Sequence, residues 1–242
     1  MLQILFSPSE TKHHGGTDIP YQLFGAINAR DEILQCYNEI VLSENEESIQ
    51  KLFGFKKFSE CIPYINDIFH APLLPALQRY SGVAYEYLNY QELPLQAQTY
   101  LQNNTIIFSN LYGPIKGGDT IANYKVKQGN SIGEIAPDKF YKERFSYQLD
   151  LYLAHHDILD LRAGYYDKFY KPNKPFTTLK FLKNGKVVSH WAKAYRGLVL
   201  KEIAKAHISS LEEFSKLEIP NLSVHEIKKI KNKTEIVFNI TE

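Results

Sequence analysis

Short apolar runs that stop at turn-forming residues predict the strands of this 242-residue chain. Residues 2–6, Leu-Gln-Ile-Leu-Phe, indicate a buried strand that ends at Ser7-Pro8, since proline cannot donate to a sheet ladder. The β-branched run at residues 105–108 indicates a central strand. Residues 158–161 and 235–240 indicate two more, so the pattern predicts a sheet of short strands.

Apolar spacings of three and four predict the helices between these strands. The clearest helix covers residues 26–42. A second covers residues 44–54, with Ser43 as its N-cap and Glu46 three residues on, which is the pattern of a capping box. Further helices are predicted over residues 73–80, 94–102, 137–154 and 194–206, with another beginning at 209.

A β-hairpin is predicted around Asn184-Gly185, because this dipeptide between alternating β-formers at residues 177–182 and 186–191 is a strong turn signal. Strands and helices alternate along the chain without a linker or repeat. We therefore predict one α/β domain over residues 1–242, with a mixed sheet flanked by helices.

Composition favours a soluble protein, with 44% apolar and 23% charged residues. No run reaches the roughly 18 apolar residues of a membrane span, and the first residues lack the pattern of a signal peptide. We expect a cytoplasmic protein without membrane contact. Cys36 and Cys61 have no CxxC spacing, which argues against a disulfide framework or a thiolate zinc site.

Charge is distributed unevenly along the chain. Residues 1–110 carry 6 Lys/Arg against 12 Asp/Glu, whereas residues 111–205 carry 17 against 9. Such asymmetry can mark a surface that meets an anionic partner, although a mixed, solvated surface would give the same counts.

Candidate chemistry first appears in the loop after the first strand. Ser7 and Lys12 lie where ligands gather in α/β sheets and could meet an anion, but a turn fixed by Pro8 accounts for the same residues. His13-His14 and His155-His156 lack metal-ligand spacing, so we expect no metal and no cofactor.

The segment at residues 110–116, Asn-Leu-Tyr-Gly-Pro-Ile-Lys, carries a small glycine turn followed by a basic residue. A glycine turn followed by a cation can aim backbone N–H groups at a phosphate, as a helix-hairpin-helix does without reading sequence. Tyr112, Gly113 and Lys116 are the candidates, although the preceding residues indicate a strand rather than a helix.

Two further basic segments extend this candidate surface. Lys125 and Lys127 alternate and would share one face of an extended chain. Lys193 and Arg196 are three residues apart, hence neighbours on a helix, and Gly197 allows close backbone approach. Two exposed cations at a hairpin-to-helix junction are the simpler interpretation of the second pair.

Taken in order, these segments resemble the YaaA family of bacterial peroxide-stress proteins. The resemblance rests on five segments: Leu5-Phe6-Ser7-Pro8-Ser9, residues 80–88 with Gly82 and Tyr85, Leu111-Tyr112-Gly113 with residues 119–129 beyond it, residues 158–166, and Ala192-Lys193 with Arg196-Gly197. It implies a single cytoplasmic α/β unit with a helix-hairpin-helix-like element. It also implies a role in keeping unincorporated iron low during peroxide stress, and binding of duplex DNA through a positive cleft.

This chain departs from the family pattern at several positions. Lys116-Gly117 replaces Arg-Pro, Asn110 replaces a glycine, and Lys127 stands where an acidic residue is common. The family's C-terminal Gly-Tyr segment has no evident counterpart around residues 222–225.

Three hypotheses follow, of which the first is a non-enzymatic protein that contacts the duplex DNA backbone with little sequence specificity. Its expected contacts are Lys12, Tyr112, Gly113, Lys116, Lys125, Lys127, Lys193 and Arg196. The alternative is an enzyme that holds a small anionic or nucleotide substrate in a pocket near Ser7, Lys12 and Arg196. A third, iron sequestration by histidine and carboxylate ligands, has the least support.

Overall fold

A computed structural model describes residues 1–241, apart from the side chains of Ser189 and His190. The strands are β1 Leu2–Phe6, β2 Leu73–Pro75, β3 Thr105–Ser109, β4 Gly113–Lys116, β5 Thr120–Ala122, β6 Asp157–Asp160, β7 Phe176–Lys183, β8 Lys186–Val187, β9 Leu222–Ile230 and β10 Lys233–Ile240. The helices are α1 Asp31–Val41, α2 Glu46–Phe53, α3 Ala76–Arg79, α4 Val83–Leu88, α5 Leu95–Asn104, α6 Pro137–Leu153, α7 Ser189–Lys205 and α8 Leu211–Lys216.

The main sheet has the strand order β4-β3-β1-β6-β7-β10-β9, with β8 paired to β7. Its five central strands, from β3 to β10, run parallel to their neighbours, and β4 and β9 are antiparallel edge strands. β2 and β5 form a separate two-stranded ladder. This arrangement confirms the predicted mixed α/β class.

Both faces of β1 and β3, two of the central strands, are buried. Every residue of β1 and β3 is inaccessible to solvent, which is typical of parallel strands covered by helices on each side. Because β1, β3 and β6 are parallel, their carboxyl ends meet at one edge of the sheet. Ser7, Asn110 and Leu161 are the first residues beyond these ends, so the loops that carry candidate chemistry start side by side.

Helices α4 and α7 are in close contact, and Gly197 makes that contact possible. A Cβ at Gly197 would overlap the carbonyl oxygen of Ala84 in α4. The backbones of the two helices therefore meet at this position, as the close approach predicted at Gly197 requires.

Several local predictions need correction. Asn45, not Ser43, caps α2, because its side chain accepts from the N–H of Ser48 at 3.0 Å. The predicted helix at residues 73–80 begins as β2 and turns helical only at Ala76. The hairpin at Asn184-Gly185 is confirmed, but its second strand is only two residues long because α7 starts at Ser189.

The structure does not confirm a helix-hairpin-helix-like element at residues 110–116. β3 ends just before this turn and β4 begins within it, and the two strands pair antiparallel with Ser109 opposite Gly113. Strands therefore flank the turn where that motif needs helices.

Candidate functional site

A basic groove of about 660 Å³ lies beside the end of β6, the first half of β7 and the start of α7, and the turn between β9 and β10 closes its far side. Seven cationic side chains line it, against three carboxylates. The cations are Arg162, Lys171, Lys180, Lys193, Arg196, Lys231 and Lys233, and the carboxylates are Asp160, Asp167 and Glu235. The groove therefore presents an excess of positive charge.

Two of these cations are already paired within the protein. Arg162 binds Asp160 through two hydrogen bonds, Nε to Oδ1 at 2.9 Å and Nη2 to Oδ2 at 2.7 Å. Its remaining donors reach the carbonyls of Tyr166 and Tyr170, so it fixes the loop after β6. Lys233 contacts Glu235 at 3.4 Å. Arg162 and Lys233 thus stabilise the walls of the groove.

The other five groove cations have no hydrogen bond or ion pair to any side chain that the structure describes. Arg196 is half-buried, and Lys193 is exposed one helical turn before it. Burial lowers the pKa of the Arg196 guanidinium, and the charge of Asp160 partly counters that effect. An anion that entered the groove would meet a guanidinium whose donors are not engaged.

A second cluster, here called the Glu10 cluster, comprises Glu10, Lys12, Lys125 and the N–H of Gln128. The Glu10 carboxylate accepts from Lys125 Nζ and from the Gln128 N–H, both at 3.0 Å. Lys12 Nζ donates to the Ser9 carbonyl at 3.1 Å and lies 3.9 Å from the ring centroid of Tyr124. The loop after β1 therefore meets the segment after β5, which is also basic.

Hydrogen-bonded hydroxyls lie beneath this cluster. The Tyr124 hydroxyl lies 2.8 Å from that of Tyr80 and 2.7 Å from Ser109 Oγ. Burial raises the pKa of Tyr80 to about 12, and hydrogen bonds to Ser109 and Tyr124 only partly oppose it. Tyr80 and Tyr124 thus remain neutral and give Lys12 an aromatic floor. Both tyrosines lie in segments that resemble the family, but neither was predicted as a site residue.

Burial also lowers the pKa of the Lys12 ammonium well below its ordinary value, and the nearby charges of Lys125 and Arg79 add to this effect. Glu10 alone opposes it. For Glu10, burial would raise the carboxyl pKa, but the bonds from Gln128 and Lys125 and the two lysine charges together lower it.

The turn at residues 110–116 has a structural role. The N–H groups of Leu111 and Tyr112 donate to Ser109 Oγ at 3.1 and 2.9 Å, so neither points at a ligand. The Tyr112 side chain is fully buried. Gly113 adopts a positive φ of 66°, and a Cβ there would overlap the Tyr141 ring.

Two buried arginines that the sequence analysis missed complete this region. Arg30 donates to the carbonyls of Tyr112 and Pro114 at 2.7 and 2.8 Å and thereby clamps the turn. Arg79 donates to the His13 and Gly15 carbonyls at 2.7 and 3.0 Å, which anchors the loop after Lys12. Their acceptors are backbone atoms distant in sequence, so no residue pattern marks them.

The predicted site residues therefore do not converge on one surface. Lys193 and Arg196 line the basic groove, whereas Lys12 and Lys125 belong to the Glu10 cluster. Lys116 pairs opposite Ile106 near the start of β3, away from the edge that carries the clusters, and its Nζ lies 4.9 Å from the Tyr152 ring. Lys127 is exposed, with its stem packed against Gly54.

The structure also shows where the residues of the pocket predicted near Ser7, Lys12 and Arg196 lie. Ser7 Oγ accepts from the Ala163 N–H at 2.8 Å and its carbonyl accepts from the Tyr85 hydroxyl at 2.9 Å, so Ser7 ties the end of β1 to the loop after β6. Of Ser7, Lys12, Tyr112 and Arg196, only Arg196 lines the groove.

Comparison with known proteins gives a consistent family. The sequence model of the family described as peroxide stress protein YaaA matches residues 2–228. An uncharacterized protein of Campylobacter jejuni is 44% identical over the full length of both chains. A UPF0246 protein of Corynebacterium glutamicum is 29% identical over 83% of this chain and 84% of its own, and one of Fusobacterium nucleatum is 26% identical over 79% of each.

No helix within residues 1–241 combines the length and apolarity that a bilayer crossing needs. No three His, Cys, Asp or Glu side chains of that part of the chain are grouped so that they could hold a metal ion.

Proposed function

The chain belongs to the family of the peroxide stress protein YaaA, and from this premise we propose that it is a cytoplasmic peroxide-stress protein that binds duplex DNA through the basic groove. One observation carries the proposal. Five cations line one open groove without an ion pair among the described residues: Lys171, Lys180, Lys193, Arg196 and Lys231. Lysine and arginine side chains bind DNA by neutralising backbone phosphates, which gives affinity without sequence preference.

The five cations come from different parts of the fold, which suits a long, regular ligand. Lys193 and Arg196 lie on α7, Lys180 on β7, Lys171 between β6 and β7, and Lys231 in the turn after β9. The turn at residues 110–116 takes no part, because Ser109 occupies its N–H groups.

Fluorescence anisotropy with a labelled duplex at low salt tests the proposal. We expect binding by the unmodified protein and a loss of roughly a hundredfold or more in the Lys193→Ala/Arg196→Ala double variant, because each of the two charge-assisted contacts is worth about 1.5–3 kcal/mol. A duplex of scrambled sequence should bind equally well.

Lys116→Ala/Lys127→Ala is the matched control, since it removes the same number of cations outside the groove. Equal losses in the two double variants would attribute binding to net charge alone. Absence of binding at low salt would refute the proposal.

We also propose that the protein keeps unincorporated iron low during peroxide exposure, on the strength of its family membership. Electron paramagnetic resonance of chelated iron in intact cells measures this quantity. Cells that lack the protein should show more unincorporated iron after peroxide treatment, and the groove double variant reveals whether the effect depends on DNA contact. Equal iron signals with and without the protein would contradict this role.

A further inference from the structure

The Glu10 carboxylate is held as a bound anion would be. It accepts from a lysine ammonium, Lys125 Nζ, and from the backbone N–H of Gln128, each at 3.0 Å. A lysine ammonium and a backbone N–H that converge on one carboxylate make a charge-assisted site suited to an anion.

Positive charge in this cluster exceeds the negative charge that faces it. Lys12 and Lys125 are both more than nine-tenths buried, at 7% and 6% exposure, and the Arg79 guanidinium is close enough to influence Lys12. Within residues 1–241, Glu10 is the one carboxylate in ion-pair range of Lys125, and none is in that range of Lys12. Arg79 is satisfied by backbone carbonyls, so a single carboxylate offsets two buried lysines.

Lys12 also has unused donor capacity. An ammonium carries three N–H donors, and Lys12 Nζ has one hydrogen-bond acceptor among the described residues, the Ser9 carbonyl. Its other neighbours are the rings of Tyr124 and Tyr80, which attract a cation but accept no strong hydrogen bond. Around Lys12 Nζ the cluster therefore lacks both a second negative charge and further hydrogen-bond acceptors.

We propose that Lys12, Lys125 and the N–H of Gln128 form a binding site for a phosphate group, which the Glu10 carboxylate occupies in the absence of ligand. A dianionic phosphate carries the second negative charge that the carboxylate lacks. Its additional oxygens can accept from Lys12 while they keep the bonds to Lys125 and Gln128. Neither lysine lines the basic groove, so this is a separate site.

Displacement of Glu10 does not require the core to open. Its side chain is 42% exposed and belongs to a loop, so a change of rotamer moves the carboxylate into solvent. Lys125 stays in place because it extends from a buried segment between Tyr124 and Val126. The site is therefore self-occupied and accessible from solvent.

Isothermal titration with inorganic phosphate tests the site, with a nucleoside 5′-monophosphate and a short duplex as parallel ligands. We expect Glu10→Gln to bind phosphate at least about tenfold more tightly than the unmodified protein, because the competing carboxylate is gone. Adding Lys125→Met to Glu10→Gln should abolish the gain, whereas adding Lys127→Met, an exposed lysine on the same segment, should not. Tighter binding of the monophosphate than of phosphate identifies a nucleotide ligand, and a gain that is larger for the duplex than for phosphate identifies backbone phosphate.

Equal phosphate affinity in Glu10→Gln and the unmodified protein overturns the proposal, as does a gain that survives Lys125→Met. Should Glu10→Gln fold poorly, ¹⁵N spectra of the unmodified protein titrated with phosphate decide the matter: the Gln128 amide is expected to shift, and a static Gln128 amide overturns the site. Lys193→Ala/Arg196→Ala must retain phosphate binding here. The proposal that the groove binds DNA and the proposal that the Glu10 cluster binds phosphate can therefore be refuted independently.

Discussion

Lys12 is a single side chain whose burial as a cation lowers the stability of the fold. Its ammonium is buried, with no carboxylate of residues 1–241 in ion-pair range, and one hydrogen bond to Ser9 and two ring contacts replace its hydration. Burying an unpaired charge costs more than such contacts contribute. Core packing alone does not favour a lysine at this position, which is consistent with its having a ligand.

We therefore expect Lys12→Met to raise the free energy of unfolding at pH 7 by about 1 kcal/mol, because methionine fills similar space without a charge. The pKa of Lys12 is lowered in the folded state, so the unfolded chain binds the extra proton at any pH between the folded value and 10.5. Stability of the unmodified protein rises with pH across that window, and its deficit relative to Lys12→Met shrinks as pH approaches 10.5.

Urea unfolding across that pH range measures the free energy of unfolding of each protein and the difference between them. Lys12→Arg is the informative counterpart, since a guanidinium cannot give up its proton and should destabilise the fold. Lys127→Met, at an exposed position, should change the free energy by no more than about 0.5 kcal/mol. The expectation is contradicted if Lys12→Met is less stable than the unmodified protein, or if the difference between their free energies of unfolding widens with pH. Either result would show that the Lys12 amine is well solvated.

At the scale of elements, the junction of α4 and α7 sets the shape of the groove. α7 carries Lys193 and Arg196, and Gly197 lets its backbone meet that of α4 at Ala84. The obstructing atom is a carbonyl oxygen of a helix, which cannot rotate away as a side chain can. The two helices must separate to admit any side chain at position 197.

Gly197→Ala should accordingly lower the free energy of unfolding by roughly 1–3 kcal/mol, although alanine is the better helix former, because overpacking outweighs propensity here. The displaced α7 should also weaken duplex binding. Gly164→Ala is the control for thermal unfolding only, because a Cβ there meets no atom within 4 Å but the residue lines the groove. Thermal unfolding and anisotropy together test this, and a neutral or stabilised Gly197→Ala would contradict the packing.

Sequence reasoning succeeded for elements whose cause is local. The apolar run of β1 and the Asn184-Gly185 turn each carry their signal within a few residues. It missed β9, whose side chains are mostly exposed and show no apolar face. It did not anticipate that Ser109 would occupy the N–H groups of the turn at residues 110–116, since the sequence does not show which hydroxyl reaches which backbone group.

At the scale of the whole molecule, the charge asymmetry of the sequence is only partly the charge of the groove. Residues 111–205 supply Lys171, Lys180, Lys193 and Arg196, but Lys231 comes from the turn beyond that segment. Lys125, inside the basic segment, is neutralised by Glu10 from the acidic N-terminal part. The charge of a surface in the folded protein therefore differs from the charge counted along the corresponding stretch of sequence.

The salt dependence of duplex binding reports how many of these cations act together. If the five unpaired groove cations each neutralise one phosphate, log K should fall by roughly 4.5 for each tenfold increase in salt, at about 0.9 per contact. Lys193→Ala/Arg196→Ala should reduce that slope by roughly 1.8, since two contacts are lost. Lys116→Ala/Lys127→Ala should leave it unchanged, because both lysines lie outside the groove. A slope that the groove double variant does not alter would mean that DNA contacts another surface, even if its affinity fell.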